Sequence, residues 1–133
     1  MKPIIKLQDV WKIYTLGNVK VQALRGLDLE IQRGEFVSIM GPSGSGKSTA
    51  VNMVGSLDIP TKGTVYLEGR DISTFAESDL AQLRGKKIGF IFQQFNLIPT
   101  LTALQNITLP MMFQGWNEEK RKQRATELLE KVD

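Results

Sequence analysis

A phosphate-binding loop is the strongest chemical signal in this sequence. Residues 41–49 read Gly-Pro-Ser-Gly-Ser-Gly-Lys-Ser-Thr and match every fixed position of the pattern GxxxxGK[ST]. The glycines allow the backbone to wrap with its N–H groups pointing inward, which makes a cradle for oxyanions. We therefore expect a nucleoside triphosphate site formed by Gly41, Pro42, Ser43, Gly44, Ser45, Gly46, Lys47, Ser48 and Thr49.

Two side chains of this loop have specific expected partners. Lys47 is expected to reach the β and γ phosphates, and Ser48 to supply a hydroxyl ligand to a phosphate-bound Mg²⁺. The alternative is an ordinary glycine-rich turn before a helix. The flanking sequence favours the site, because the apolar residues 36–40 precede the loop as a strand would, and helical spacing follows it at Val51, Val54 and Leu57.

The elements around the loop predict an α/β fold. Residues 27–31 alternate apolar and polar side chains, as in a half-exposed antiparallel strand. Residues 36–40 and 88–92 are nearly all apolar and predict parallel strands buried on both faces. Residues 64–67 predict a short strand closed by a turn at residues 68–69. We expect a small N-terminal antiparallel sheet that leads into a parallel core.

Local signals predict the helix ends. Thr74 and Glu77 have capping-box spacing, as do Thr102 and Gln105, and Asn117 can cap a last helix. Gly85 is placed to end the helix that begins near residue 74, and Pro110 to limit or kink the next one. The last helix presents an apolar face with no obvious partner, formed by Ala125, Leu128, Leu129 and Val132.

Composition excludes several classes of protein. Among 133 residues there are 17 basic and 14 acidic side chains, a net charge of +3, and no cysteine, which excludes disulfides and thiolate metal sites. No apolar run approaches the about 20 residues of a membrane helix, so a partner would supply any spanning part. A basic cluster near the end is a solvated helix face or, alternatively, a nucleic-acid or acidic-lipid patch: Lys120, Arg121, Lys122 and Arg124. We expect no nucleic-acid partner.

The chain resembles the ATP-binding subunits of ABC transporters. The resemblance rests on segments that follow one another in order: Tyr14, residues 23–26, the phosphate loop, residues 57–63 and residues 88–99. Residues 89–99, followed by Leu-Thr-Ala at 101–103, are similar to the branch that serves lipoprotein release and macrolide export. The resemblance implies a P-loop NTPase (RecA-like) core with an N-terminal antiparallel β-subdomain and the start of a helical subdomain.

The resemblance also implies roles for two residues outside the loop. Tyr14 matches the aromatic side chain that stacks on adenine; the alternative is a tyrosine of the core. Gln93 matches the glutamine that reaches Mg²⁺ and the neighbourhood of the attacking water; the alternative is a surface glutamine. ATP and Mg²⁺ are thus the implied ligands, with Ser48 and Gln93 on the metal and Lys47 and Gln93 as catalytic residues.

The implied partners are a transmembrane permease subunit and a second copy of the ATP-binding subunit, with the protein on the inner face of the cell membrane. Residues 1–92 would form the β-subdomain and core, and residues 93–133 the start of the helical subdomain. The apolar residues after Gln93 would be core of that lobe or a groove for the permease: Phe95, Leu97, Ile98 and Leu101.

The sequence departs from the family's pattern beyond the phosphate loop. It has no Ser-Gly-Gly signature, no Asp-Glu pair after an apolar strand, and no histidine. We therefore expect the N-terminal part of one nucleotide-binding domain, with an incomplete central sheet, that binds ATP without hydrolysing it. The alternatives are a non-catalytic nucleotide-binding module unrelated to transport and another P-loop enzyme, such as a small kinase or GTPase.

Overall fold

The computed structural model describes residues 2–132, which form two compact units. The first unit runs to Leu80, and the second begins at Ala81. The division of the chain into residues 1–92 and 93–133, which rested on the family's subdomains, stays a prediction.

The first unit is built on a four-stranded antiparallel sheet. Its strands are β1 (Ile5–Leu16), β2 (Val19–Ile31), β3 (Lys62–Leu67) and β4 (Arg70–Asp71), in the spatial order β2-β1-β3-β4. Each neighbouring pair is antiparallel. This confirms the predicted N-terminal antiparallel sheet, including the alternating residues 27–31 within β2 and the short strand at 64–67 within β3.

One face of this sheet supplies the core of the first unit. Inward-pointing residues of β1, β2 and β3 are almost fully buried: Leu7, Val10, Leu24, Val65 and Leu67. Between Leu7 and Val10 the register of β1 shifts, and Asp9 adopts a φ of 46° there. The backbone N–H of Asp9 donates to Asp28 Oδ1 at 2.8 Å, so the irregularity is held by a side chain of β2.

Three helices accompany the sheet. Helix α1 (Lys47–Val54) packs on β1 and β2 and buries Ala50 and Met53. A short 3₁₀ helix (Ile72–Thr74) follows β4, and helix α2 (Glu77–Lys87) spans the boundary between the two units.

The predicted parallel strands at residues 36–40 and 88–92 are not formed in the described structure. Both segments lie outside the sheet, and Phe36, Met40 and Ile91 are 96%, 86% and 101% exposed. A strand buried on both faces needs hydrogen-bonding neighbours and covering layers, and within residues 2–132 neither segment is paired in a sheet. Their apolar composition is typical of a core strand, but within residues 2–132 no strand pairs with either segment.

The second unit contains helices α3 (Ala103–Phe113) and α4 (Glu118–Leu129). Thr102 and Gln105 form the predicted capping box, and the Asn117 side chain caps α4 through the N–H of Lys120 at 2.9 Å. Helix α4 packs on α3 and buries Ala125 completely. The expectation that this apolar face lacks a partner was wrong in part: α3 packs on α4 and Ala125 is buried, whereas Leu128 and Leu129 are half-buried and Val132 is 82% exposed.

Three predicted helix ends differ from the structure. Helix α2 begins at Glu77 rather than near Thr74, because Thr74 belongs to the 3₁₀ turn and its hydroxyl donates to Asp71 O. The same helix continues past Gly85 to Lys87. Pro110 does not end α3, which extends past it to Phe113, and the alternative of a kink at Pro110 stays a prediction. Among the described residues, none of the helices has the length and apolar character needed to cross a membrane.

Candidate functional site

The phosphate loop leads directly into the first turn of α1. The N–H of Ser45 donates to Pro42 O at 3.2 Å, which closes a turn, and Gly46 adopts a left-handed φ of 90°. Helix α1 then begins at Lys47, with the N–H of Ala50 donating to Gly46 O at 2.8 Å. The loop therefore takes the chain from a segment without regular secondary structure into a helix within a few residues.

The N-terminus of α1 carries no negatively charged or capping side chain. Gly46 is its N-cap residue and makes no side-chain hydrogen bond, and the first turn contains no acidic residue. The first N–H groups of a helix have no partner within the helix, and the helix dipole adds about half a positive charge at this end. An oxyanion would satisfy both features.

A close approach between β2 and the loop fixes the position of Gly46. A Cβ atom on Gly46 would collide with the backbone carbonyl oxygen of Ala23 in β2, and Leu24 lies next to it. Glycine is thus required here for two independent reasons, the left-handed backbone and the missing space. The antiparallel sheet therefore holds the phosphate loop in place.

The polar side chains of the loop differ in their exposure. Lys47 is half-buried, and its Nζ donates to Pro42 O at 2.6 Å. Ser48 is exposed, so its hydroxyl is accessible to a ligand, and Thr49 is half-buried. A hydroxyl oxygen is a suitable ligand atom for Mg²⁺, and Ser48 fits that role at the start of α1.

A cavity of about 320 Å³ lies between β2 and the loop. Its walls come from three residues of β2 and from six of the loop and first turn: Val21, Gln22, Ala23, Ser43, Gly44, Gly46, Lys47, Ser48 and Thr49. The register of the sheet places Tyr14 of β1 directly opposite Val21. Cross-strand partners lie on the same face of a sheet, so Tyr14 is one strand away from the wall of this cavity.

Tyr14 is half-buried and interacts with two charged side chains. Its hydroxyl donates to Asp58 Oδ2 at 3.0 Å, and Lys12 Nζ lies 5.1 Å from the centroid of its ring. Lys12 Nζ also donates to Asp58 Oδ1 at 2.6 Å and to Ile59 O at 2.8 Å. Asp58 lies 46 residues from Lys12 and 44 from Tyr14 along the chain, so no local pattern in the sequence indicates these contacts.

The charge of Asp58 is stabilised by these donors. Partial burial alone would raise the pKa of its carboxyl group, but the hydrogen bonds from Lys12, from the Ile59 backbone and from Tyr14 together lower it. Asp58 is thus ionised at neutral pH and forms a partly buried ion pair with Lys12, whose side chain is only 14% exposed.

Gln93 and Gln94 are exposed and belong to the second unit. The phosphate loop and Tyr14 both belong to the first unit, where Tyr14 pairs with Val21 in the wall of the cavity. The role of Gln93 as a Mg²⁺ ligand stays a prediction. Within residues 2–132, no group of three or more acidic side chains is arranged to hold a metal ion. A metal here would depend on hydroxyl or amide ligands and on the phosphates themselves.

Three of the four apolar residues considered after Gln93 are exposed. Phe95, Leu97 and Ile98 are 89%, 62% and 41% exposed, and Leu101 is half-buried. The alternative that they form the core of a helical lobe is therefore wrong for the first three. Asn106 fixes the end of this segment, because its side-chain oxygen accepts from the N–H of Ile98 at 2.8 Å.

The amino-acid sequence of the chain matches a known protein family. The family model described as ABC transporter matches residues 24–133 of the chain. The chain belongs to the ABC transporter family.

Relatives in the ABC transporter family are similar over nearly the whole chain. An uncharacterized ABC transporter ATP-binding protein of Thermotoga maritima is 56% identical over 132 residues, which are 99% of this chain and 56% of the relative. The macrolide export ATP-binding/permease protein MacB of Brucella abortus is 47% identical over 127 residues, 96% of this chain and 20% of that protein.

A solved structure shares the fold. The dimeric structure of the ATP-binding cassette MJ0796, in a post-hydrolysis state bound to ADP and Pi, has a TM-score of 0.85 and 49% identity, and the match covers 95% of this chain and 56% of that chain. A relative with the same designation, the uncharacterized ABC transporter ATP-binding protein MJ0796, comes from Methanocaldococcus jannaschii. The chain spans about half the length of the Thermotoga maritima relative and of the MJ0796 cassette.

Proposed function

We propose that this chain is the ATP-binding, energy-coupling part of an ABC transporter. The observation that carries the proposal is the loop that ends at the uncapped N-terminus of α1, beside a cavity that Lys47 and Ser48 line. An ATP-binding role is also what its family membership supports. The protein would bind MgATP and use it to drive a membrane partner.

Each part of the nucleotide has a proposed contact. Backbone N–H groups of residues 41–49 and the Lys47 ammonium hold the β and γ phosphates, and the Ser48 hydroxyl and the Gln93 amide oxygen hold Mg²⁺. The Tyr14 ring stacks on adenine, which requires a flat aromatic surface and no hydrogen bond to the base edge. When bound, Mg²⁺ neutralises charge that develops on the phosphates during transfer.

Hydrolysis is proposed for the full-length protein and not for these 133 residues alone. Phosphoryl transfer depends on positioning and charge stabilisation, and the sequence has no histidine, no Asp-Glu pair after an apolar strand, and no Ser-Gly-Gly signature. We propose that a second copy of the subunit completes the site, which is supported by the dimeric structure of the similar cassette MJ0796.

The proposed membrane partner is a permease subunit, with this protein on the inner face of the cell membrane. The exposed side chains of Phe95, Leu97 and Ile98 support a contact surface after Gln93. A relative named as a macrolide export ATP-binding/permease protein supports the pairing of such a chain with a permease. A loop that carries a Mg²⁺ ligand at one end and a partner contact at the other can transmit nucleotide state, if its two positions differ in free energy.

Nucleotide binding and phosphate release, measured side by side, test this proposal. The 133-residue chain should bind ATP saturably in the presence of Mg²⁺, with inorganic tripolyphosphate competing, and should release no phosphate above the buffer rate. Mg²⁺-dependent phosphate release that Lys47→Ala abolishes would refute the proposed inactivity. Absence of any nucleotide binding by the full-length protein would refute the function itself.

A further inference from the structure

The carboxylate of Asp58, four residues after the end of α1, holds the hydroxyl of Tyr14. Asp58 Oδ2 accepts from the Tyr14 hydroxyl at 3.0 Å. Asp58 Oδ1 accepts from Lys12 Nζ at 2.6 Å and from the N–H of Ile59 at 2.8 Å. Both carboxylate oxygens are therefore occupied by donors from β1 or from Asp58's own loop.

This ion pair differs from the surface pairs of the protein. The side chains of Lys12 and Asp58 are 14% and 30% exposed, whereas Lys122 and Glu118, a pair on α4, are 61% and 65% exposed. Exposed pairs contribute little because solvent screens them and their side chains must be ordered. The Lys12–Asp58 pair is ordered by further hydrogen bonds, including the one from Lys12 Nζ to Ile59 O at 2.8 Å.

Lys12 also determines which face of the Tyr14 ring is available. Its ammonium lies 5.1 Å from the ring centroid, over one face, which is the geometry of a cation–π contact. A flat ligand that stacks on Tyr14 must therefore use the opposite face. The ring is thus fixed at its hydroxyl and covered on one side.

The loop that carries Asp58 is continuous with α1. Backbone bonds from Gly55 to Val51 O at 2.8 Å and from Leu57 to Asn52 O at 2.9 Å close the C-terminal turn of α1 just before Asp58. The other end of α1 begins at Lys47, in the phosphate loop. One short helix, about 12 Å long at 1.5 Å per residue, therefore connects the proposed phosphate contacts to the group that holds Tyr14.

We propose that Asp58 is a positioning residue for nucleotide binding: through the Tyr14 hydroxyl and Lys12 it holds the Tyr14 ring ready to receive the base. This inference rests on the proposed function, because it takes Tyr14 to be the stacking platform. A ring that is already ordered loses less rotational freedom when the base binds, so affinity rises without a direct contact from Asp58 to the nucleotide.

Three variants of the full-length protein test the inference. Tyr14→Phe keeps the ring and removes the hydroxyl, Asp58→Ala removes the carboxylate, and the double variant removes both. Each single variant should weaken ATP binding about 3- to 10-fold, the scale of ordering one side chain, and leave binding of inorganic tripolyphosphate unchanged. The double variant should bind ATP no more weakly than the weaker single variant, because both changes break one interaction.

Controls separate this inference from the proposed function. Glu118→Gln, which breaks the exposed ion pair on α4, should change neither affinity. An unchanged ratio of ATP to tripolyphosphate affinity in Tyr14→Ala would overturn adenine stacking itself. If the ratio of ATP to tripolyphosphate affinity falls in Tyr14→Ala but not in Tyr14→Phe or Asp58→Ala, only the role of Asp58 is overturned. Additive losses of ATP affinity in the double variant would also overturn that role. If Asp58→Ala does not fold, the ratio of ATP to tripolyphosphate affinity in Tyr14→Phe tests the role of Asp58 by itself.

Discussion

The ammonium group of Lys47 donates a 2.6 Å hydrogen bond to the carbonyl oxygen of Pro42, near the start of the same loop. The cation of the phosphate loop is thus held by the loop's own backbone. Phosphate oxygens are stronger acceptors for an ammonium group than a peptide carbonyl, because the hydrogen bond is then assisted by charge on both sides. We expect Lys47 to exchange Pro42 for phosphate oxygens when a triphosphate binds.

The contact between Gly46 and β2 predicts a large effect of adding one methyl group. Gly46→Ala should destabilise the protein, because the left-handed backbone costs roughly 1–2 kcal/mol for an L-residue and the new Cβ would collide with Ala23 O. It should also weaken ATP binding, since the loop would move. Thermal unfolding and ATP titration measure the two effects.

Gly44→Ala is the matched control for this substitution. Gly44 also has a positive φ, 78°, but nothing lies within 4 Å of a Cβ built there. It should therefore show only the backbone cost. Equal losses of stability in Gly44→Ala and Gly46→Ala would contradict the close packing of the loop on β2.

Substitution of Tyr14 distinguishes a stacking platform from a structural tyrosine. Tyr14→Ala should weaken ATP binding by about 1 kcal/mol more than Tyr14→Phe does, the scale of an aromatic contact, while tripolyphosphate binding is unchanged. Tyr14→Trp retains a flat ring and should preserve more of the ATP affinity than Tyr14→Ala. A loss of folding stability in both variants with no specific loss of ATP affinity would instead assign Tyr14 a structural role.

The sequence predicted some of the features that depend on neighbouring residues, although the capping-box spacing of Thr74 and Glu77 does not mark a helix start, because Thr74 belongs to the 3₁₀ helix. The capping box at Thr102 and Gln105 and the cap at Asn117 were predicted because each involves groups three residues apart. The contact between Tyr14 and Asp58 joins residues far apart in sequence, so it became visible only in the fold. Residues 36–40 were predicted as a strand from composition, but strand formation depends on partner strands that composition does not reveal.

The depressed pKa of Asp58 predicts a pH-dependent contribution to stability. Its carboxyl pKa lies below the ordinary value of 3.8 in the folded protein, so its interactions stabilise the folded state above that pH and are lost as the pH falls through the lower folded value. The difference in unfolding free energy between the wild-type protein and Asp58→Asn should be constant above about pH 5 and shrink below about pH 4. Denaturant titrations at several pH values measure it, and a difference that grows on acidification would contradict the assignment.

Leu97 tests the proposed contact surface for the permease. Leu97→Asp should leave ATP affinity unchanged, because the side chain is 62% exposed, and weaken association with the membrane subunit, since a carboxylate would have to be desolvated in an apolar contact. Leu16→Asp is a matched control at a side chain that is 68% exposed in the first unit. Co-purification with the membrane subunit measures association, and equal retention of both variants would remove Leu97 from the contact surface.

Calorimetric titration of MgATP into the wild-type protein, Lys47→Ala and Lys122→Ala tests the nucleotide site most directly. Hydrogen bonds to charged groups contribute about 1.5–3 kcal/mol, so Lys47→Ala should lose roughly 10- to 100-fold in affinity and remain unsaturated where the wild-type protein is saturated. Lys122 is paired with Glu118 on the exposed surface of α4, so Lys122→Ala should bind MgATP with the affinity of the wild-type protein. Equal affinities in Lys47→Ala and the wild-type protein, or equal losses in the two lysine variants, would contradict the site.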